Sequence, residues 1–317
     1  MKISIIGAAG SVGAPTAFYL AAQGLADEVV MIGGRKQNVL KQHAMDISTA
    51  VSARDAVIRA GDFGDMAGSA IVINAAGAPQ GFIADRMEML PKNIALIEDI
   101  AARIKKYCPD ALVITATNPV DPLNYATFLA GGFDRTRLIG YSLNDSFRFR
   151  EMLARTMQVK VSRVEGLVLG EHGASQVLLF STARVDGAPV AVSPAQQESI
   201  RAEVPNILKR YEELQAGRTA GWTCAIGLEK IVRAVVEDRR IVIPCSVVLD
   251  GEYGLHGMSM SVPVVIGRDG VGRIIELDLT ADEMAGLDRT VATLRPAMSM
   301  VEIGLHSPIS TIDIEKN

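Results

Sequence analysis

The chain has 317 residues, 49% of them hydrophobic, and a formal net charge of −4 at pH 7. Two moderate cores are the better expectation for this length than one large core. The slightly acidic balance offers no basic surface for nucleic acid or for an anionic membrane. No stretch reaches the roughly 18–20 uninterrupted apolar residues that a membrane span needs.

Short apolar runs alternate with helical patterns through the first half of the chain. The predicted strands are Lys2–Gly7, Glu28–Ile32, Ala56–Ala60, Ala70–Ala75, Ala111–Ala116 and Leu138–Gly140. The predicted helices between them are Val12–Ala22, Val39–Ala50, Met87–Tyr107 and Pro119–Leu129. Strands too apolar to face water predict an α/β fold with a doubly wound parallel sheet, covered on both faces. Pro91 should break or kink the third helix, and Pro79–Arg86 is predicted to be a loop.

The pattern changes near residue 143, where we predict a domain boundary. A long helix should begin near Asn144–Ser146, a charged helix should span Pro194–Glu213, and another should begin near Thr223. Thr280–Glu283 has the capping-box pattern that opens a last helix. The predicted strands of this half are Val164–Leu169, Gln176–Val185, Val247–Leu249, Val262–Ile266 and Ile274–Leu279. These elements predict a C-terminal α+β domain, 144–317, after an N-terminal domain, 1–143.

Two further features bear on the compartment. The cysteines Cys108, Cys224 and Cys245 are far apart and in no metal-like spacing, which is typical of buried thiols in a reducing compartment. The apolar run after Met1 has the look of a signal peptide, but glycines at 7, 10 and 13 and Pro15 interrupt it. We therefore expect a cytoplasmic protein without a metal site.

A glycine-rich turn follows the first predicted strand and opens the first helix. It reads Gly7-Ala-Ala-Gly10-Ser11-Val12-Gly13. Glycines let the backbone turn tightly and approach a pyrophosphate, which then binds the N–H groups of the helix N-terminus. An ordinary tight turn is the alternative, but the flanking strand and helix favour a dinucleotide site of the Rossmann type.

The end of the second strand indicates which dinucleotide is bound. NAD sites usually carry an acid about 20 residues past the glycines, where it binds the ribose 2′-hydroxyl. Gly33 and Gly34 stand there instead, Arg35 follows, and the next acid is Asp46. The glycines leave room for a 2′-phosphate that Arg35 can bind bidentately. The pattern favours NADP, with NAD bound beside a basic solvated turn as the alternative.

Three later motifs carry polar chemistry: Asn118–Asp121, Asp145–Arg148 and Gly170-Glu-His172-Gly173. A histidine titrates near neutral pH, so His172 can transfer a proton while a hydride moves. Each residue also has an ordinary interpretation: His172 in the core or on the surface, Asp145 as a helix cap, Arg148 in a surface ion pair and Asn118 in a turn. Their order after the glycine turn points to oxidation of a small 2-hydroxy acid or reduction of a 2-keto acid.

These motifs, with Ser261–Gly267 late in the chain, resemble those of the lactate/malate dehydrogenase family over nearly the whole length. The resemblance implies a Rossmann domain, a substrate domain and usually a homodimer or homotetramer. It implies that His172 is the proton donor in keto reduction, with Asp145 as its carboxylate partner. Arg148 would grip the substrate carboxylate, and Asn118 would lie beside both the reacting carbonyl and the cofactor.

Residues 76–86 align without gaps to the mobile lid of that family. Arg86 takes the place of the arginine that polarises the substrate carbonyl, although an exposed first-turn arginine is the alternative. Gln80 stands where malate-specific members usually have an arginine for the distal carboxylate, and glutamine there is typical of lactate-specific members. Without a cation, the second carboxylate of oxaloacetate would be buried unpaired, which is costly.

Trp222 occupies a region where the family has a small residue that lines the side-chain pocket. It either fills that pocket, favouring a small or flat apolar substrate, or packs in the core. Arg218, four residues earlier, is the residue that would supply a missing cation. We therefore predict an NADP-preferring L-2-hydroxyacid dehydrogenase with lactate-like selectivity. The alternatives are a malate dehydrogenase that uses Arg218 and a non-catalytic dinucleotide-binding protein.

Overall fold

The fold is seen in a computed structural model, which describes residues 1–78, 90–215 and 219–306. Its strands are β1 (Lys2–Ile6), β2 (Glu28–Ile32), β3 (Val57–Gly61), β4 (Ile71–Asn74), β5 (Leu112–Thr115), β6 (Leu138–Gly140), β7 (Val164–Leu169), β8 (Val177–Val185), β9 (Ala188–Pro189), β10 (Ile241–Asp250), β11 (His256–Gly267) and β12 (Gly270–Ile274). Its helices are α1 (Gly13–Ala22), α2 (Gln37–Ala50), α3 (Leu90–Tyr107), α4 (Val120–Gly131), α5 (Leu143–Met157), α6 (Pro194–Glu213), α7 (Gly221–Val236) and α8 (Ala281–His306).

The first six strands form the predicted parallel sheet, in the order β6-β5-β4-β1-β2-β3. This is the Rossmann strand order, in which the carboxyl ends of β1 and β4 meet at a switch point where ligands bind. All residues of β4 and β5 are buried, as expected of strands with helices on both faces. The predicted doubly wound α/β class is therefore confirmed, and its switch point places the site.

The sheet continues beyond β6 into the second half of the chain. β10 pairs antiparallel with β6 where Ser246 lies opposite Gly140, and β11 and β12 extend the same sheet. A smaller sheet of β7, β8 and β9 has its own core, in which Phe149 packs edge-on against Phe180. The division into 1–143 and 144–317 stays a prediction, since one sheet runs through both parts.

Four predicted elements differ from the observed ones. β10 and β11 are much longer than Val247–Leu249 and Val262–Ile266, because they pair with each other over ten positions as one hairpin. The third strand of this section is Gly270–Ile274 and not Ile274–Leu279. Backbone pairing with β11 outweighs the weak strand preference of its glycines. Pro91 does not end α3, whose described part begins at Leu90 and continues without a break to Tyr107.

Several smaller predictions are confirmed. The capping box opens α8: the Thr280 amide donates to Glu283 Oε2 at 3.0 Å, and the Glu283 amide donates to Thr280 Oγ1 at 3.3 Å. The three cysteines are buried, as expected from the sequence. Among the described helices, none is long and apolar enough to cross a membrane.

Candidate active site

The glycine turn after β1 is tight because side chains do not fit there. Gly7 has a φ of +79°, and a Cβ atom on it would lie 2.7 Å from the backbone of Ala75 at the end of β4. A Cβ on Gly13 would lie 2.5 Å from the carbonyl oxygen of Gly7. Within the described residues, the amides of Ser11 and Val12 donate to no protein acceptor. These open N–H groups at the start of α1, which has no acid in its first turn, fit a bound pyrophosphate.

The carboxyl end of β2 lies beside this turn. The Ile32 carbonyl accepts hydrogen bonds from the amides of Gly7 and Ala8, at 2.8 and 3.0 Å. The next residues, Gly33 and Gly34, are fixed by Gln37, whose Nε2 donates to both of their carbonyls. A Cβ on Gly34 would meet nothing within 4 Å. Arg35 is exposed and makes no ion pair with the part of the chain that the structure describes.

The start of the second half packs onto the same turn. A Cβ atom on Gly221, the first residue of α7, would lie 1.8 Å from the Ser11 carbonyl oxygen. This close approach brings α7 to the candidate cofactor site. Trp222 follows Gly221 and is 75% exposed, so its interpretation as a core residue is wrong. Its assignment to the substrate pocket stays a prediction.

Asn118 follows β5 at the carboxyl edge of the sheet, and its peptide bond to Pro119 is cis. Its carbonyl oxygen accepts a hydrogen bond from Asn93 Nδ2 at 3.0 Å, and Asn93 Oδ1 accepts one from the Ala78 amide at 2.7 Å. Asn93 is fully buried and joins the segment before residue 79 to the Asn118 turn. Sequence reasoning missed this residue, although a lone asparagine among the isoleucines of α3 was a signal.

The His172 loop follows β7 and is shaped by its two glycines. Gly170 has a φ of +94°, and a Cβ atom on it would lie 2.7 Å from Thr290 Oγ1. Gly173 is packed against the carboxylate of Glu171. Paired hydrogen bonds between Gly170 and Ser261, at 2.8 and 2.9 Å, attach the loop to β11. The loop is therefore anchored at its base, and His172 projects from a fixed backbone.

Asp145, Arg148 and His172 form one cluster, as the sequence predicted. Asp145 lies in the first turn of α5, where Ser142 is the N-cap, so the interpretation of Asp145 as the cap is wrong. Its Oδ2 makes a hydrogen bond with His172 Nδ1, and its Oδ1 accepts one from Arg148 Nη1 at 3.2 Å. The Asp145 and Arg148 side chains are only 5% and 13% exposed, so Arg148 is not in a surface ion pair.

A second carboxylate touches the same histidine, and sequence reasoning gave it no role. Asp121, in the first turn of α4, accepts a hydrogen bond from the His172 backbone amide at 2.6 Å. Ser246 Oγ donates to the other carboxylate oxygen, also at 2.6 Å. Burial raises the pKa of Asp121 to about 7, although these two hydrogen bonds lower it. An acid within the otherwise apolar start of α4 was the signal that could have identified it.

Three predicted site residues lie outside the described residues: Gln80, Arg86 and Arg218. The remaining ones fall into two groups at the carboxyl edge of the sheet. Gly7–Gly13, Gly33–Arg35 and Asn118 lie around the carboxyl ends of β1, β2 and β5. Three residues beyond Asn118, Asp121 contacts His172. The edge can therefore hold a dinucleotide on the first group and exchange a proton through the second. Among the described residues, no cluster of histidine, cysteine or acidic side chains could hold a metal ion.

Comparison with known proteins agrees with this architecture. Family models described as the lactate/malate dehydrogenase NAD binding domain and alpha/beta C-terminal domain match residues 1–140 and 143–303. The malate dehydrogenase of Halobacterium salinarum is 37% identical over 297 residues, covering 92% of this chain and 97% of that protein.

Solved structures give the same result. The malate dehydrogenase from Aeropyrum pernix matches with a TM-score of 0.86 at 33% identity, covering 94% of this chain and 97% of that one. The lactate dehydrogenase from Cryptosporidium parvum, complexed with lactic acid and β-nicotinamide adenine dinucleotide, matches with a TM-score of 0.88 at 29% identity, covering 97% and 98%. The chain belongs to the lactate/malate dehydrogenase family.

Proposed function

We propose that the chain interconverts a small L-2-hydroxy acid and its 2-keto acid with a nicotinamide dinucleotide as hydride carrier. The observation that supports this best is the cluster in which Asp145 binds the His172 ring and the Arg148 guanidinium with its two oxygens. A proton donor and a carboxylate-binding cation are thereby held a few ångströms apart. That pairing suits a substrate with a carbonyl next to a carboxylate.

The protein residues have distinct roles in this reaction. A bound nicotinamide supplies the hydride in keto reduction and accepts it in the reverse direction. Since Nδ1 of His172 faces Asp145, Nε2 is the nitrogen that gives the proton to the carbonyl oxygen. Asp145 orients the ring and stabilises its charged form. Arg148 still has guanidinium N–H groups beyond the one bound to Asp145, and these bind the substrate carboxylate.

The remaining polar roles come from Asn118 and Arg86. The Asn118 side chain is half-buried beside the cofactor edge and makes no hydrogen bond to the described residues, so it suits a contact with the reacting carbonyl. Arg86 is proposed, from the sequence, to polarise the same carbonyl when its loop covers the site.

Malate and oxaloacetate are the substrate pair that the relatives favour. The proteins 35–37% identical to this chain include malate dehydrogenases from Halobacterium salinarum and Bacillus thuringiensis. This proposal needs a cation for the second carboxylate, and Arg218 is the candidate. A lactate-like substrate is the second candidate, because Gln80 is neutral at the position that contacts the distal group.

NADP is the proposed cofactor, with NAD as the alternative. Two observations support NADP: a Cβ atom on Gly34 would meet none of the described residues within 4 Å, and Arg35, three residues after β2, is exposed and makes no ion pair with them. NAD is favoured by the Cryptosporidium parvum neighbour, which is complexed with that dinucleotide.

A substrate panel tests the function. Oxaloacetate, pyruvate and 2-ketobutyrate are reduced with NADH and with NADPH, and kcat/KM is compared. We expect turnover of at least one of these acids, with NADPH preferred. No turnover of any of them with either cofactor would contradict the proposed reaction and favour a non-catalytic dinucleotide-binding protein.

Gln80→Arg decides between the two substrate candidates. If Gln80 sets a lactate-like preference, this variant should shift kcat/KM toward oxaloacetate at least tenfold, or about 1.4 kcal/mol. If the wild type already prefers oxaloacetate and Arg218→Ala removes that preference, the malate proposal is supported instead.

We also propose a cytoplasmic homodimer or homotetramer. Large apolar side chains are exposed on the single chain, among them Met45 and Trp222 at 73% and 75%. Contact with a second copy would remove such surface from water. Light scattering coupled to gel filtration measures the mass, and a monomer at micromolar concentration would contradict the assembly.

A further inference from the structure

The buried carboxylate of Asp121 has no part in the proton and hydride transfers described above. It is 1% exposed, yet it does not cap its own helix. Both of its oxygens accept hydrogen bonds from distant segments: the His172 backbone amide and the Ser246 hydroxyl, each at 2.6 Å. Burial of an acid is costly, and these two hydrogen bonds offset part of that cost while they join three separate segments of the chain.

Behind Asp121 lies a chain of fully buried polar side chains. Ser246 Oγ lies 2.9 Å from Ser259 Oγ, and Asn124 Nδ2 donates to Ser259 Oγ at 3.0 Å. When Asp121 is ionised, Ser246 Oγ donates its single proton to the carboxylate, and Ser259 then donates to Ser246. In this arrangement one N–H of Asn124 and the hydroxyls of Ser259 and Ser246 form a row of donors that ends at the Asp121 carboxylate.

Asn124 fixes that direction. Its Nδ2 also donates to the Ser246 carbonyl oxygen at 3.3 Å, and the reversed amide would place oxygen against oxygen there. With this orientation, Asn124 Oδ1 is buried without a hydrogen-bond partner among the described residues. The Asn124 amide thus acts as a donor to Ser259, although its own oxygen has no partner there. Such an arrangement favours the ionised carboxylate over the neutral acid.

The surroundings oppose this ionisation. The charged groups near Asp121 are Glu171, in the His172 loop, and Asp145, on α5, and both raise its pKa. The Arg148 guanidinium makes its ion pair with Asp145. The donors from Ser246 and His172 lower the pKa but leave it near 7. The Ser246 hydroxyl and the His172 amide are thus the donors that favour ionisation of Asp121.

We propose that Asp121 is a positioning residue: its carboxylate, which accepts a hydrogen bond from Ser246 at one oxygen, fixes the backbone of His172 for proton transfer with the other. The inference rests on the proposed function for its kinetic consequence. The contact also joins α4, which begins two residues after Asn118, to the loop that carries the acid–base group. The geometry of proton transfer is then coupled to the cofactor edge of the sheet.

Kinetics over a range of pH test this inference. In wild type, kcat/KM for keto reduction should rise with pH as Asp121 ionises. Asp121→Asn should lower kcat at least tenfold with KM within threefold, and should remove the rise on the acid side. Ser246→Ala leaves the carboxylate in place but removes a donor, so the rise should move upward by roughly 0.5–1 pH unit.

Ser142→Ala is the matched control. It also deletes a buried serine hydroxyl, one that donates to Ser261 at 2.8 Å and makes no hydrogen bond to Asp121 within the described structure. The acid-side rise should stay at the wild-type pH in this variant. An acid-side rise that persists in Asp121→Asn, or that shifts equally in Ser142→Ala and Ser246→Ala, would overturn the inference.

Hydrogen exchange separates this inference from the proposed function. In Asp121→Asn, the His172 amide should exchange at least tenfold faster, because an amide oxygen is a weaker acceptor than a carboxylate, while the amides of β1 keep their rates. If the wild type turns over no 2-keto acid, the proposed function fails and this measurement alone decides the role of Asp121. An unchanged His172 rate would refute the positioning role even in an active enzyme.

Discussion

The glycine turn and the His172 loop lie at the same edge of the sheet but are built differently. The turn is made of backbone groups from seven consecutive residues, and it works because side chains are absent. The His172 cluster is made of ionisable side chains from α4, α5 and the loop after β7, and it works because their charges are buried together. The first should therefore be sensitive to added volume, and the second to removed charge.

Removing charge from the His172 cluster should have the largest effect. Asp145→Asn keeps the size of the side chain but loses the carboxylate that orients the ring and stabilises the imidazolium. We expect kcat for keto reduction to fall at least about a hundredfold, or about 2.7 kcal/mol, while dinucleotide affinity stays within twofold. A loss of dinucleotide affinity as large as the loss of kcat would mean that the His172 cluster and the glycine turn do not act independently.

The stability of the same region should depend on pH through Asp121. Its pKa in the fold, about 7, is raised above the ordinary value of 3.8. A raised carboxyl pKa stabilises the fold at low pH, and that contribution is lost as the pH rises through 7.

Asp121→Asn removes this dependence. Relative to the wild type, the variant should gain roughly 2–3 kcal/mol of unfolding free energy between pH 5 and pH 8. Urea unfolding of both proteins at the two pH values measures the gain. A difference that is the same at pH 5 and pH 8 would show that Asp121 does not titrate in this range.

The candidate cofactor site is built mainly of backbone groups, but the Arg35 side chain is an exception that can be tested separately. If Arg35 binds the 2′-phosphate, Arg35→Ala should weaken the binding of NADPH by about 1.5–3 kcal/mol and leave the binding of NADH nearly unchanged. Fluorescence titration of each dinucleotide measures both affinities. Equal losses for NADH and NADPH would mean that Arg35 does not contact that phosphate.

Added volume should break the glycine turn. Gly7→Ala places a methyl group 2.7 Å from the Ala75 backbone at a positive φ, which we expect to cost about 1–3 kcal/mol of unfolding free energy and to weaken dinucleotide binding. Gly272→Ala is the control, because its methyl group would meet only the Val265 carbonyl at 3.5 Å. Its unfolding free energy should stay within about 0.5 kcal/mol of wild type.

The same contrast explains what could be predicted from the sequence. The turn and the parallel strands are local patterns, so residues 1–32 and the sheet class were predicted closely. Asp145 and His172 were found only because each lies in a short motif. Asp121 and Asn93 act through partners that are distant in sequence, and nothing local says which buried polar side chain will meet which backbone group.

The long hairpin of β10 and β11 was underestimated for a related reason. Its length comes from the pairing of two strands, and single-strand patterns reveal only their most apolar parts. Trp222 shows the opposite error. An apolar side chain suggested a core position as one of two interpretations, whereas the start of α7 leaves it exposed on the single chain.

The most direct test of the central claim, that His172 transfers the proton and the glycine turn binds the cofactor, is His172→Asn assayed for both properties in one preparation. Turnover of the best 2-keto acid and affinity for the preferred dinucleotide are measured side by side. We expect turnover to fall about a thousandfold or more, within the range for loss of a general acid, with affinity within twofold of wild type. Turnover within tenfold of wild type would contradict the assignment of His172 as the acid–base group.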